Sequence, residues 1–155
     1  MKFHIPQPMK EEHEVLHNNL RKAVMSGGKV GEAAKAVAHA LHPHFQREEE
    51  IALPPLGLLS DLAAGKIVPE MAEVFTMTDA LKAELPRMLE EHNAIVAALD
   101  QLIEAAKKEK KEDVAHFAHQ LKLHAQTEEQ VSYPTAILIG EYLKLRLGTM
   151  EASMQ

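Results

Sequence analysis

The chain has 155 residues, of which 46% are hydrophobic and 26% are charged, so it can bury the core of one globular domain, and we expect a single domain over residues 1–155. It contains no Cys and only 4% aromatic residues, which excludes a disulfide framework, a thiolate metal site and an iron–sulfur cluster. The net charge of −6 argues against a nucleic-acid partner, and the absence of a signal sequence or a long apolar run predicts a cytoplasmic protein with no membrane partner.

Apolar residues recur at helical spacing in the first part of the chain. A first helix is predicted from about Met9 to the Ser26-Gly27-Gly28 stop, and a second from about Lys29 to Leu53. Pro43 lies inside the second helix, where it can introduce a kink. The segment Leu56–Val68 is predicted to be a connection with at most one helical turn.

The second part of the chain repeats this organisation. A third helix is predicted from about Pro69 to Lys108, with a kink at Pro86. A fourth runs from about Glu112 to Ser132, and a further helical stretch continues past Pro134 to about Leu147. Amphipathic helices joined by short turns predict an all-α, up-down-up-down four-helix bundle.

A sparse pattern of polar residues occurs twice, which predicts a two-fold internal repeat of helix pairs. A His-x-x-x-Glu-Glu motif is followed in both halves by a Pro ten residues after its His, and a Glu-Glu-His run lies about 31 residues before it. One His-x-x-x-Glu is expected by chance in a chain with ten His, so the shared context carries the argument. The repeated pairs are His13 and His92, His44 and His124, Glu48 and Glu128, and Pro54 and Pro134.

The spacing within each motif favours metal binding. Residues four apart on a helix project together, so His44 with Glu48 and His124 with Glu128 can each offer an imidazole and a carboxylate to one point. These donors suit iron, manganese or zinc. If the two halves pack with approximate two-fold symmetry, each metal can take His from two helices while the two carboxylates span both metals.

The order His, His-x-x-x-Glu, His, His-x-x-x-Glu resembles the hemerythrin-like HHE family across nearly the whole chain. The resemblance implies a non-haem diiron centre in a four-helix bundle, with Glu48 and Glu128 as bridging carboxylates. The cofactor it implies is two iron ions joined by an oxo or hydroxo bridge. The implied ligands are His13, His44, Glu48, His92, His124 and Glu128.

The chain departs from the oxygen-carrying hemerythrins. Those proteins have a His pair four apart on the third helix, whereas the residues four before and four after His92 are Met88 and Val96. They also have an Asp five residues beyond the last His, where this chain has Glu129. The resulting set of four His and two Glu is more similar to bacterial iron-centre repair proteins.

The resemblance leaves several functions open. The first is binding or processing of a small molecule, namely oxygen, nitric oxide or peroxide, which includes a weak oxidoreductase activity served by an electron donor. The second is iron storage or donation to an acceptor protein. The third is a bundle with a purely structural metal. We favour the first. Four His and two bridging carboxylates would leave an open position on each iron, whereas a dedicated oxygen carrier keeps one iron saturated, so nitric oxide, peroxide or redox chemistry is favoured over simple oxygen carriage. The oligomeric state stays open.

Further side chains near the motifs have two interpretations each. His17 is either a ligand of the metal or a residue next to the ligands or on the surface. Met88 either fills the core or lines the pocket for the small ligand. Tyr133 is predicted to face away from the site into the core. Four Glu residues beside the ligands are predicted to be solvated, with orientation of an imidazole as the alternative; they are Glu12, Glu49, Glu91 and Glu129. Four remaining His residues are predicted to be exposed: His39, His42, His116 and His119.

Overall fold

A computed structural model describes the backbone of residues 1–154 and the side chains of residues 1–148, and the described backbone contains helices and no strand. The elements in chain order are α1 (Gln7–Met25), α2 (Gly28–Ile51), a 3-10 helix (Pro54–Leu58), α3 (Leu59–Ala63), a second 3-10 helix (Pro69–Val74), α4 (Phe75–Lys108), α5 (Glu112–Thr127), a π-helical turn (Glu128–Ser132) and α6 (Tyr133–Met154).

Four long helical arms form the bundle: α1, α2, α4, and the continuous arm made of α5, the π-helical turn and α6. Helix α1 packs on α2, α2 on α4, α4 on α5, and α5 returns to α1, so the ring of contacts is closed. The predicted four-helix bundle is confirmed.

Tight turns join the paired helices. Gly27 and Gly28 have φ of 72° and 60°, a left-handed conformation that costs glycine little, so the chain reverses between α1 and α2 in two residues. The turn between α4 and α5 contains Lys110 with φ of 57°. The carboxylate of Glu109 in that turn accepts a hydrogen bond of 3.2 Å from the backbone N–H of Lys29 at the start of α2. The two turns therefore lie side by side at one end of the bundle.

The prolines interrupt the helices less than the sequence suggests. Helix α2 continues through Pro43 and α4 continues through Pro86. The segment predicted as a connection over 56–68 is mostly helical, since the first 3-10 helix and α3 fill 54–63. Four side chains of the first 3-10 helix are buried and close the end of the bundle opposite the two turns: Pro54, Pro55, Leu56 and Leu58.

The apolar core is divided into two clusters. One lies toward the tight turns and includes Leu20, Val37 and Leu102. The other lies toward α3 and α6 and includes Leu53, Met88 and Leu143. A layer of buried polar side chains separates them.

No helix within the described residues is long and apolar enough to cross a membrane.

Candidate metal centre

The buried polar layer consists of four imidazoles and two carboxylates contributed by all four arms. Helix α1 carries one imidazole, α2 an imidazole and a carboxylate, α4 one imidazole, and α5 with the π-helical turn an imidazole and a carboxylate. The side chains are 0–9% exposed. The structure thus brings together all six residues that the sequence singled out: His13, His44, Glu48, His92, His124 and Glu128.

The six side chains form two overlapping sets. His13 and His124 define position A, and His44 and His92 define position B, while Glu48 and Glu128 belong to both. Within each set, one donor atom from every residue lies within 4.8 Å of the others. Two His and two shared carboxylates can therefore hold one cation at each position.

The inward-facing atoms of the cluster lack ordinary partners. Nε2 of His44 lies 2.7 Å from the Glu48 carboxylate, and Nε2 of His124 lies 3.2 Å from that of Glu128. Even so, both oxygens of Glu48, Oε2 of Glu128, and Nε2 of His13 and His124 make no hydrogen bond. Buried polar atoms without partners are costly, and several of them converging on one volume fit a cation better than a packed core.

Carboxylates outside the cluster hold the outer nitrogens of the imidazoles. Nδ1 of His92 makes a hydrogen bond of 3.0 Å with Glu129, and Nδ1 of His13 lies 3.5 Å from Glu49. Since each of these Glu residues directly follows a shared carboxylate in sequence, the two contacts correspond between the halves of the chain.

The other two imidazoles are held in the same way. Nδ1 of His124 makes a hydrogen bond with Glu12, and Nδ1 of His44 lies 3.6 Å from Glu91. Each of these Glu residues directly precedes a His of the cluster. An outer carboxylate keeps the proton on Nδ1 and leaves Nε2 free to bind metal. The hydrogen bonds of Glu12 and Glu129 support the orienting role over a purely solvated one, whereas Glu49 and Glu91 lie near their imidazoles without a hydrogen bond.

The family model described as the hemerythrin HHE cation binding domain matches residues 4–136, which include every residue of the cluster. The chain belongs to the hemerythrin HHE family. Comparisons with curated proteins and with solved structures found no match. The His and Glu groups of this hemerythrin HHE domain could bind metal, in agreement with the cation-binding description of the family.

The electrostatics of the HHE cluster are dominated by burial and by the two facing carboxyl groups. Burial, reinforced by the charge of Glu128, raises the pKa of Glu48 well above its usual range. Burial also opposes ionisation of Glu128, but contacts with Glu48 and the surrounding imidazoles hold the pKa of Glu128 well below its usual range. Without metal, the pair therefore retains a proton on Glu48, which a cation would displace.

The imidazoles of the two positions respond differently to this environment. Burial and the neighbouring His92 lower the pKa of His44. Burial acts in the same direction on His124, but contacts with Glu128 and Glu12 outweigh it and raise the pKa of His124. The lowered pKa favours the neutral, metal-binding form of His44, whereas the raised pKa of His124 lets a proton compete more strongly with metal.

Tyr133 reaches into the HHE cluster, so the prediction that it faces away is wrong. Its hydroxyl lies 3.1 Å from Nε2 of His44 and 3.0 Å from Nε2 of His92, and its side chain is fully buried. Five residues along an α-helix rotate by about 140° from the starting face. The π-helical turn from Glu128 to Ser132 instead brings Tyr133 round to the face of Glu128.

A signal for this turn exists in the sequence. Pro134 cannot donate a backbone hydrogen bond, and its ring clashes with the carbonyl four residues earlier in a regular helix. A wider turn before it relieves that clash. The combination of Glu128, an aromatic residue five positions later and an immediate Pro is the pattern that could have located Tyr133.

The remaining candidate residues lie in the apolar core, beside the cluster or on the surface. Met88 is fully buried in the apolar cluster beside α6, in agreement with its interpretation as a core residue. His17 is half-buried and packs edge-on against Phe45, whose ring stacks on His13 at 4.1 Å between centroids. The four His residues predicted to be exposed are exposed: His39, His42, His116 and His119.

Proposed function

We propose that this HHE domain holds two iron ions, one at position A and one at position B, and that it binds or processes a small molecule such as oxygen, nitric oxide or peroxide there. The observation that carries the proposal is the pair of overlapping His2Glu2 sets, in which several inward-facing oxygen and nitrogen atoms make no hydrogen bond. A single structural metal would need one set, with its carboxylates turned to one side.

The proposed ligands are His13, His44, Glu48, His92, His124 and Glu128, with the two carboxylates shared between the ions. Nitrogen and carboxylate oxygen suit iron, and the described residues of the cluster include no soft donor. Two carboxylates leave two divalent ions with a residual positive charge in a low-dielectric core, which favours small anions and electron-rich diatomic molecules.

The iron pair would supply electrons and open coordination positions, and the protein supplies the surroundings. The outer carboxylates fix the imidazole rings, and the Glu48–Glu128 pair exchanges its proton for metal. The apolar clusters on both sides keep bulk water away from the cluster. Tyr133 retains its proton, because burial beside the carboxyl groups of Glu48 and Glu128 raises its pKa.

Burial of the ligands favours retention of iron over its donation. Each proposed ligand side chain is at most 9% exposed, so an acceptor protein or a chelator can reach the ions only after the helices separate. Slow loss of iron to a chelator, over hours, is expected for a resident centre. Loss within seconds would favour the iron-donating function instead.

The direct test is to load the metal-free protein with ferrous iron without oxygen and to count bound iron by mass spectrometry. We expect two irons per chain, with an optical spectrum that changes on addition of nitric oxide or oxygen. Glu48→Gln keeps the volume of a shared carboxylate and should reduce the count below one. Glu90→Gln changes an exposed carboxylate on α4 and should leave the count at two.

One redox-silent metal per chain would contradict the diiron proposal and would support a structural ion. Two irons with a spectrum that no small molecule alters would support the centre but not its proposed use.

A further inference from the structure

Leu53 and Tyr133 occupy equivalent places in the two halves of the chain. Each lies five residues after a shared carboxylate and directly before a Pro. The backbone N–H of Leu53 donates to the carbonyl of Glu48 at 2.9 Å, and that of Tyr133 donates to the carbonyl of Glu128. The two side chains therefore start from corresponding points beside the cluster, although one is aliphatic and the other carries a phenol.

The presence of a phenol in only one half of the chain gives positions A and B different hydrogen-bonding surroundings. At position B, the Tyr133 hydroxyl lies within hydrogen-bond distance of Nε2 of both imidazoles. At position A, Nε2 of His13 and His124 have no such partner. Leucine is shorter than tyrosine and has no polar atom, so Leu53 cannot offer a hydrogen bond to the imidazoles of position A as Tyr133 does at position B.

Shielding from solvent follows the same asymmetry. At position B, Met88 and Tyr133 are fully buried. Met9, which precedes His13 by four residues as Met88 precedes His92, is only half-buried. His124 at position A is 9% exposed, whereas His44 at position B is fully buried.

A cavity of about 220 Å³ adjoins position A. Leu53 and His13 form its inner wall, and Lys10 and Glu14, which are both exposed, lie at its mouth. Ile5, His17 and Glu49 complete the lining. The volume is several times that of a water molecule, so a diatomic molecule or a triatomic anion fits within it.

We propose that exogenous small ligands enter through this cavity and bind at position A, while Tyr133 keeps position B closed to them. Leu53 acts as the specificity-determining wall between the cavity and the metal. The inference rests on the proposed diiron function, and it adds which of the two positions is reactive and by which route it is reached.

The test uses azide, a small anion, added to the oxidised iron-loaded protein, with the association rate followed by stopped-flow absorbance. Leu53→Phe fills the inner wall and should slow azide association by about tenfold or more. Leu53→Ala widens the wall and should accelerate association severalfold. Iron content, counted in the same samples, should remain two per chain for both variants.

Two controls carry the same chemical changes elsewhere. Leu138→Phe places the larger ring on an exposed position of α6 and should leave the azide rate unchanged. Leu56→Ala creates a void in the apolar cluster that contains Leu53, but it does not line the cavity, and it should also leave the rate unchanged. Equal acceleration by Leu53→Ala and Leu56→Ala would overturn the route, since general loosening would then explain both.

A surface variant tests the mouth without disturbing the core. Lys10→Glu reverses a charge at the entrance and should slow azide association by about two- to fivefold at low salt. Association of neutral nitric oxide should not change. Lys35→Glu, at an exposed position of α2, is the matched control.

The outcomes separate this inference from the proposed function. Wild-type protein that binds fewer than two irons contradicts the diiron centre itself. Two irons with azide rates that do not respond to Leu53 or Lys10 contradict only the route through the cavity.

Discussion

Outer carboxylates hold the four imidazoles of the cluster with unequal contacts. His92 and His124 make hydrogen bonds with Glu129 and Glu12, whereas His13 contacts its outer carboxylate at 3.5 Å without hydrogen-bond geometry. A hydrogen-bonded partner fixes the ring and increases the basicity of the inward nitrogen more than a longer contact does. The imidazoles from the second half of the chain should therefore depend on their outer carboxylates more than those from the first half.

This difference predicts the result of removing each carboxylate. Glu129→Ala should weaken iron binding by about 10- to 100-fold, because Nδ1 of His92 loses its hydrogen-bond partner. Glu49→Ala should weaken it less, because Glu49 lies 3.5 Å from His13. Competition with a coloured chelator measures both affinities. A larger loss for Glu49→Ala than for Glu129→Ala would contradict the orienting role assigned to these contacts.

At the scale of the elements, the π-helical turn joins two helices with different requirements. Glu128 must face the cluster from the end of α5, while Tyr133, Ala136 and Leu143 must present the buried face of α6. A regular helix cannot meet both requirements, because Tyr133 follows Glu128 by five residues and would point about 140° away from it. One extra residue in a wider turn corrects the register.

Deletion of Gln130, an exposed residue within that turn, should remove the correction. Helix α6 would rotate by about 100° relative to α5, which would expose its buried face and withdraw Tyr133 from His44 and His92. We expect the Tm of the metal-free protein to fall by about 10 °C or more, given the size of the buried face. Gln130→Ala keeps the chain length and should change the Tm by no more than a few degrees. Equal Tm values for the two variants would show that the register is not set by this turn.

The close approach of α6 to α4 depends on Gly140. A Cβ at this position would lie 2.3 Å from Oγ1 and 2.7 Å from Cβ of Thr78, so the helices would have to separate. Gly140→Ala should destabilise the protein by about 1–3 kcal/mol, despite the better helix propensity of alanine. Gly148→Ala in the same helix meets nothing within 4 Å and should be neutral or slightly stabilising. Chemical denaturation measures both changes, and stabilisation by Gly140→Ala would contradict the packing argument.

These elements explain which parts of the structure the sequence predicts. The six cluster residues could be found because they are polar positions on otherwise apolar faces, repeated at nearly constant separation. Tyr133 was missed because its position depends on a departure from α-helical geometry. The role of Glu12 and Glu91 could not be decided from their own helices, since each contacts an imidazole carried by a different helix. Contacts between helices depend on packing, which periodicity alone does not fix.

At the scale of the whole molecule, the cluster is the one place in the described structure where side chains from all four helical arms meet around polar atoms without partners. In the metal-free protein, these atoms destabilise the fold, because they are removed from water without compensation. A cation bound by all four arms would reverse that penalty and would also link the helices to one another. Metal binding and folding are therefore expected to be coupled.

This coupling predicts a large effect of metal on thermal stability. Iron present at about 100 times its dissociation constant stabilises a folded protein by about 2.7 kcal/mol. For a chain of this length, that corresponds to an increase in Tm of roughly 5–10 °C. Calorimetry of the iron-loaded and chelator-treated protein, both without oxygen, measures the shift. Glu48→Gln should abolish this shift. The metal-free Tm of the variant should equal or exceed that of the wild type, because burial and Glu128 raise the pKa of Glu48 in the folded protein. The wild type therefore loses stability as the pH rises above the pKa that Glu48 has in the unfolded chain, and the amide of the variant cannot ionise. A Tm that does not respond to iron in the wild-type protein would mean that the four arms are held together by their apolar clusters alone.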